Sequence, residues 1–410
     1  MEKVCFVINQ YGEEICGGGE YHCKMLAERL VPDFGVDVLT TKICDAVTLE
    51  QGFTQACETI NGVRVLRFDC VAYDARLQRR AKWARKFRRG LFRLGLLRYI
   101  ADVFPVWHLG LKREHAALLT DGFGAPGLLA YLQENQTDYK AIIFVSHYYP
   151  YSKLGFRAAP EKSIFIPTAH NVSHLFWSVQ THVFTGVRHI AFNTEEERSL
   201  ARRVFGRRMA PSSIVGVGVE TEMGEAMPSD AEMRKKFGLP DRYVHYFGRI
   251  AKGKMGKLIP WFIDYKRKHP GDLKLVLTGK LFMPKVEHPD IVYTGFVSGD
   301  EKIWLIKNSL LAINPSKNES LSLLLLEAMS LGKTVLVNGR SEVMKAHCIK
   351  SGFAADYYLS RRDFQRKLHR RVSDGGLLQK DNAKARDYVN AHYSWDAIMG
   401  KLRGIIAGIS

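Results

Sequence analysis

Short apolar, β-branched runs alternate with longer amphipathic stretches along most of the chain. The runs at residues 3–8, 36–40, 63–68, 141–146, 163–167, 188–192 and 213–217 have the length and composition of buried strands. After an acidic, irregular stretch near 219–230 the alternation restarts, with strands predicted at 243–247, 273–278, 291–294, 309–313 and 334–338. Between them, 20–32, 126–134, 257–269 and 300–307 have helical periodicity. Strand–helix–strand alternation predicts α/β architecture with parallel sheets covered on both faces. Two such series predict two Rossmann-like domains, 1–222 and 223–394, followed by a C-terminal helix at 395–410. Each domain would hold a ligand crevice at the carboxyl ends of its strands. Local punctuation agrees. Thr194 and Glu197 form a capping-box pattern after the strand ending near Asn193, and Gly332 stops the helix that carries Glu327.

Charge changes the picture more than composition does. The 410 residues are 46% hydrophobic and 25% charged, ordinary for a globular chain, but the net charge is +18. So large an excess calls for an anionic partner: nucleic acid, an acidic membrane face or a phosphorylated substrate. The seven cysteines, 5, 16, 23, 44, 57, 70 and 348, lack metal-ligand spacing and read as free thiols of a reducing compartment. The chain opens directly into a strand-like run, with no leader pattern and no apolar stretch approaching the length of a membrane span, so a cytoplasmic protein is expected.

The most informative segment runs from Ile313 to Met329. Pro315 ends a strand, a polar loop follows, and a helix starts around Ser320 to Ser322. The first amides of a helix lack intrahelical partners and carry the positive end of its dipole, which suits a pyrophosphate. Glu327 falls about two turns into a helix that is apolar nearly all round, where a carboxylate is costly without hydrogen-bond donors such as ribose hydroxyls. Glu319 lies in the preceding loop, facing either solvent or a sugar.

Other candidates follow strand ends. Phe247-Gly248-Arg249 closes a strand and is followed by Lys252, Lys254 and Lys257, cations that could stabilise a leaving diphosphate. The first strand leads to Gly17-Gly18-Gly19-Glu20, where consecutive glycines allow close backbone approach, although the spacing is not that of a dinucleotide fingerprint. Ile164 to Pro167 is a strand running into Thr168-Ala169-His170. His174 and His182 lie nearby without carboxylates at metal-site spacing, so no metal is expected.

In order along the chain, the glycine triplet with its glutamate, Thr168-x-His170, Gly248-Arg249, the glutamates seven residues apart and Tyr393-Ser394-Trp395-Asp396 resemble glycosyltransferase family 4. The resemblance implies a GT-B fold, two Rossmann-like domains facing across a cleft with the last helix crossing back to the first. It implies retaining transfer of a hexose or hexosamine, with no cofactor or metal beyond a UDP- or GDP-sugar as co-substrate. Arg249 and Lys254 would meet the diphosphate, with Lys257 a rival because Met255 stands where the family has glycine. Glu319 and His170 would contact the donor sugar, Glu327 the ribose, and the amides near Ser322 and Leu323 the sugar and phosphates. Gly17, Gly18 and Gly19 would face donor phosphates and acceptor, and the base would meet backbone near Phe296 and Val297. Ser320-Leu321-Ser322 departs from the family's Pro-Phe-Gly, which leaves the sugar open.

Between Arg76 and Arg98 there are ten basic residues and no acidic one. Trp83, Phe87, Leu91 and Leu94 fall at helical spacing, giving a basic amphipathic helix. Either this apolar stripe packs on the domain, or Arg79, Arg80, Lys82, Trp83, Arg85, Lys86, Arg88 and Arg89 dock the protein on an anionic membrane. Docking at the inner face of the cell membrane would suit a glycan or lipid-linked acceptor in bacterial cell-surface polysaccharide assembly. No recognition module accompanies the charge, which argues against nucleic acid. Two rivals share the pattern in part. They are a sugar-nucleotide epimerase and a non-catalytic basic adaptor for membrane or RNA.

Overall fold

A computed structural model describes residues 1–13, 17–219 and 228–409. The chain divides into two compact units, Met1–Val217 with Asp396–Ser410, and Gly218–Trp395. Cys16 and the sequence-predicted boundary at residue 222 lie outside the described residues.

The first unit is built on an eight-stranded sheet. Its strands are Lys3–Val7 (β1), Gly35–Thr41 (β2), Cys57–Ile60 (β5), Val63–Phe68 (β6), Ala141–Val145 (β7), Ser163–Ile166 (β8), His189–Phe192 (β9) and Ser212–Ile214 (β10). A two-stranded ribbon, Ile43–Asp45 (β3) with Glu50–Gln51 (β4), stands apart. The sheet order is β10-β9-β8-β7-β1-β2-β6-β5, parallel throughout except for the β5–β6 hairpin at one edge. The central strands are buried along nearly their whole length, because helices cover both faces and leave no polar side. Phe144, Phe165, Phe184 and Phe192 lead the core. From Asp396 onward the final helix belongs to this unit. Arg403 is paired with Asp33 at 2.7 Å, and the Arg188 guanidinium donates to the Gly408 carbonyl at 3.4 Å.

The second unit contains Tyr243–Phe247 (β11), Lys274–Thr278 (β12), Ile291–Gly295 (β13), Ala312–Asn314 (β14), Val335–Asn338 (β15) and Asp356–Tyr358 (β16). These form one fully parallel sheet ordered β13-β12-β11-β14-β15-β16, the doubly wound arrangement of a Rossmann fold. The direction of winding reverses between β11 and β14. In the first unit it reverses between β1 and β7.

Every strand expected from the sequence is present, within one residue at each end except for two: residues 213–217 become Ser212–Ile214, and 309–313 become Ala312–Asn314. The ribbon, β5 and β16 were not expected. Each is short or half exposed and carries no apolar run. Thr194 caps the helix Glu195–Phe205 through the Glu197 N–H at 3.1 Å, while the Glu197 carboxylate accepts from the Asn193 N–H at 2.8 Å and from the Ala169 N–H. Gly332, at φ +68°, ends the helix Leu323–Ser330.

Candidate active site

In the second unit the predicted residues gather at the carboxyl ends of β11 and β14, the two strands that flank the winding reversal. Open parallel sheets place ligands at this point, because the loops that follow the two strands diverge and leave a crevice. β11 runs into Gly248 and Arg249. Gly248 adopts φ +130°, and its carbonyl lies where a Cβ on Gly279 would be only 2.1 Å away, so the loops after β11 and β12 can touch only as glycines. Arg249 is exposed, with no ion-pair partner among the described residues. The short helix Lys252–Met255 follows and aims Lys254 at the β14 loop, where its Nζ meets Glu319 Oε1 at 2.7 Å. Lys257 is exposed and outside this pair. Of the two rival lysines, Lys254 is therefore the one joined to the glutamate loop.

The β14 loop is held from within. The Asn314 amide donates to the Ser322 hydroxyl at 2.9 Å, and the Asn338 amide donates to the Pro315 carbonyl at 3.0 Å. Ser322 is the N-cap of Leu323–Ser330, and its Oγ accepts from the Leu325 N–H at 3.3 Å. It does so at φ +75°, a conformation that costs a residue with a Cβ roughly 1–3 kcal/mol. This is the position where the sequence departs from Pro-Phe-Gly. The chain keeps the backbone that a glycine adopts freely and adds a capping hydroxyl. Ser320, Leu321 and Leu323 complete the turn, with Leu321 buried.

Glu327 is buried, as its helix requires, but it is not idle. Lys302, on the helix Gly299–Asn308, donates to its Oε1 at 3.0 Å. Lys302 thus supplies one of the donors that burial makes necessary for this carboxylate. Lysine 302 was not anticipated, since it comes from a different helix. After β13, Phe296 stands 61% exposed next to the half-buried Val297.

In the first unit the equivalent edge brings together the loops after β1, β7 and β8. Glu20 folds back so far that a Cβ on Gly17 would lie 1.8 Å from its carboxylate, whereas Gly18 and Gly19 face open space. The Tyr149 hydroxyl, just past β7, donates to Glu20 Oε1 at 3.0 Å. Its neighbour Tyr148 is bonded to His170 Nε2 at 2.9 Å, and His170 Nδ1 lies 3.3 Å from the Thr168 carbonyl. A carbonyl can only accept, so Nδ1 donates to Thr168, and in the neutral ring Nε2 then accepts from the tyrosine. Ser146 and Thr168, where β7 and β8 give way to these loops, sit at φ +73° and +47°. Below them burial holds His147 well under the ordinary histidine range and His174 down to about 3, so both are neutral. Tyr148 and Tyr149 escaped the sequence reading, and their one signal was their place directly after a strand.

Residues 241–370 match the family model described as Glycosyl transferases group 1. Arg249, Lys254, Glu319 and Glu327 all lie within this match. No curated protein matches the sequence. Among solved structures, sucrose-phosphate synthase from Thermosynechococcus elongatus superposes with a TM-score of 0.69 at 14% identity, covering 99% of this chain and 98% of that one. Anabaena HepE in complex with UDP-glucose gives 0.67 at 14%, covering 99% and 100%. WaaG, a glycosyltransferase involved in lipopolysaccharide biosynthesis, gives 0.63 at 12%, covering 99% and 100%. At these identities the likeness is one of fold, and that fold is GT-B.

The basic arm is the helix Ala75–Arg93, capped by Asp74. Gln78, Ala81, Ala84, Arg85 and Arg88 are buried, while Trp83 and Phe87 stand 47% and 44% exposed. Arg88 donates to the carbonyls of Phe176 (2.7 Å), Leu109 (2.9 Å) and Val106 (3.2 Å) and pairs with buried Glu114. Arg85 lies 3.9 Å over the Trp177 ring, and Arg89 donates to the Asn171 carbonyl at 2.9 Å. Arg85 and Arg88 are therefore removed from the predicted docking set, and Arg89 is half-buried. Arg79, Arg80, Lys82, Trp83 and Lys86 remain on the surface. Among the described residues, no helix is long and apolar enough to cross a membrane, and no cluster of three metal-ligating side chains occurs.

Proposed function

We propose that the protein is a retaining glycosyltransferase. It would move a hexose or hexosamine from a UDP- or GDP-sugar to a hydroxyl on a glycan or lipid-linked acceptor, in bacterial cell-surface polysaccharide or glycolipid assembly. The observation that carries this reading is the Lys254–Glu319 ion pair. It ties the cationic loop after β11 to the glutamate loop after β14, at the winding reversal where a nucleotide sugar enters such a sheet. The complex of HepE with UDP-glucose supports the choice of donor class.

In this reading the bond between the anomeric carbon and the diphosphate oxygen breaks, and the acceptor oxygen bonds to the same face of that carbon. The acceptor proton passes to the departing phosphate. Arg249 and Lys254 neutralise the charge that develops there, with the first amides of Leu323–Ser330 beside them. Glu319 and His170 orient the sugar, and Glu327, held by Lys302, takes the ribose. Phe296 and Val297 lie beside the base. These cations do the neutralising work, so turnover is expected to survive a chelator.

In this reading the exposed basic and aromatic face of Ala75–Arg93 would dock the enzyme on the cytoplasmic face of an anionic membrane, where a lipid-linked acceptor would reside. Trp83, Phe87 and Leu94 of its apolar stripe stand exposed, while Leu91 packs on the core and the helix turns Ala81, Ala84, Arg85 and Arg88 inward.

The test combines donor binding with a lysine comparison. A thermal-shift screen of UDP-, GDP- and ADP-sugars should single out one donor, because a cognate ligand stabilises the fold by mass action. Lys254→Ala should lower turnover by roughly 10²–10³-fold, the usual cost of losing one charge-stabilising donor. Lys257→Ala should change it little. Equal effects at the two positions, or no stabilisation by any nucleotide sugar, would overturn the reading.

A further inference from the structure

A second basic site lies at the opposite edge of the first sheet. A cavity of about 500 Å³ opens beside the amino end of β10, lined among others by Arg98, Arg202, Gly206, Arg207, Met209 and Ser212. Two backbone bonds fix its place. The Ala210 N–H donates to the Phe184 carbonyl at 2.8 Å, and the Ile190 N–H donates to the Pro211 carbonyl at 2.9 Å. The helix Glu195–Phe205 separates this cavity from the edge that holds His170, because its first turn bonds Ala169 and Asn193 while its last turn supplies Arg202. Eleven helical residues span roughly 16 Å.

The lining carries three guanidiniums and no carboxylate. Arg98, Arg202 and Arg207 are exposed and have no ion-pair partner among the described residues, whereas Arg198 on the same helix pairs with Glu195. Three like charges around one cavity repel each other, and an anion entering it reverses that cost. The guanidinium is a planar fork that matches phosphate oxygens two at a time. The negative end of the helix Glu195–Phe205 points this way, so the arginines alone supply the attraction.

The rim of the cavity indicates what carries the phosphate. Arg98 belongs to the helix Leu97–Val103, which exposes Tyr99 and Val103 at 70% and 85%, with Leu94 and Leu96 exposed just before it. Large apolar side chains standing in water beside a cationic cavity match the chemistry of a bilayer surface, with anionic phosphate above and hydrocarbon below.

We propose that Arg98, Arg202 and Arg207 form a headgroup pocket for the phosphate of an anionic phospholipid, with Leu96, Tyr99 and Val103 entering the interface beside it. The proposal deepens the membrane-docking part of the proposed function. It is independent of the transfer chemistry.

The experiment is flotation of the full chain with phosphatidylcholine vesicles, with and without phosphatidylglycerol, at physiological salt. Two charge-matched triple variants are compared, Arg98→Gln/Arg202→Gln/Arg207→Gln and Arg79→Gln/Arg80→Gln/Lys82→Gln. All six residues are exposed, so melting temperatures should match the parent. The pocket triple should lower partitioning onto phosphatidylglycerol vesicles by about tenfold or more, given that each surface cation contributes measurably. It should lose more than the helix triple does. Equal losses would reduce the pocket to non-specific charge, and loss only in the helix triple would overturn the pocket while leaving docking intact. No loss in either would overturn docking altogether, without touching donor binding, which is measured free of vesicles. Inorganic phosphate or glycerol 3-phosphate raising the melting temperature of the parent but not of the pocket triple, with no vesicle preference, would reassign the pocket to a free anion.

Discussion

Arg88 is the sharpest test of how the basic arm is built. It is fully buried, donates to three backbone carbonyls and pairs with Glu114, itself fully buried. Replacing Arg88 with Met keeps the apolar stem but leaves three carbonyls and a carboxylate behind. Glu114 then retains the Ser178 N–H at 2.6 Å as its remaining close donor. Removing one partner of a buried pair costs about 3–5 kcal/mol, because the other charge stays desolvated. For a unit of some two hundred residues that corresponds to a melting temperature lower by roughly 6–20 °C. The deficit should depend on pH. Burial already raises the Glu114 pKa, and Arg88 opposes that rise. Without the arginine the folded state holds the proton more tightly than the unfolded chain, so stability falls as pH rises through the carboxylate range and recovers in acid. Urea unfolding between pH 4.5 and 8 would measure this. The double variant Arg88→Met/Glu114→Leu should regain most of the loss, since both buried charges are gone. An Arg88→Met protein within about 1 kcal/mol of the parent, but with weakened vesicle binding, would show that this arginine faces lipid and that the structural assignment fails.

Other expectations concern the two sheet edges. Arg249→Ala should lower turnover by roughly 10²-fold or more with stability within about 0.5 kcal/mol, because the side chain is exposed; unchanged transfer kinetics would remove it from the diphosphate. Ser322→Ala should destabilise the second unit by about 1 kcal/mol through loss of the cap. Ser322→Gly should come out close to neutral, because relief of the φ +75° strain offsets that loss; the reverse order in denaturant melts would contradict the strained-cap account. Burial pushes Glu197 up to about 8, so it contributes a stability loss as pH rises from about 4.5 towards 8, and Glu197→Gln should flatten that slope in thermal melts.

Much of this protein is legible in one dimension. Buried parallel strands need continuous apolar runs, and covering helices need amphipathic ones, so both sheets and their helices can be read from the chain. The site loops are legible for a related reason. Gly279 and Gly17 stand where backbone or a carboxylate comes too close for a Cβ, Gly248 sits at φ +130°, and such positions leave glycine in the sequence. Short or exposed strands such as β5 and β16 leave no such trace. Periodicity can show that the helix Ala75–Arg93 has two faces, but not which face turns inward. Apolar content leaves Trp83 and Phe87 either packed or outward; the fold presents three backbone carbonyls, a buried Glu114 and the Trp177 ring, and these take Arg88 and Arg85. The partners of Lys254, Glu327 and His170 are likewise 65, 25 and 22 residues away along the chain. Sequence sets which residues are capable of pairing, and the tertiary structure alone decides which do, because a buried charge takes whichever donor or acceptor the packed elements bring to it.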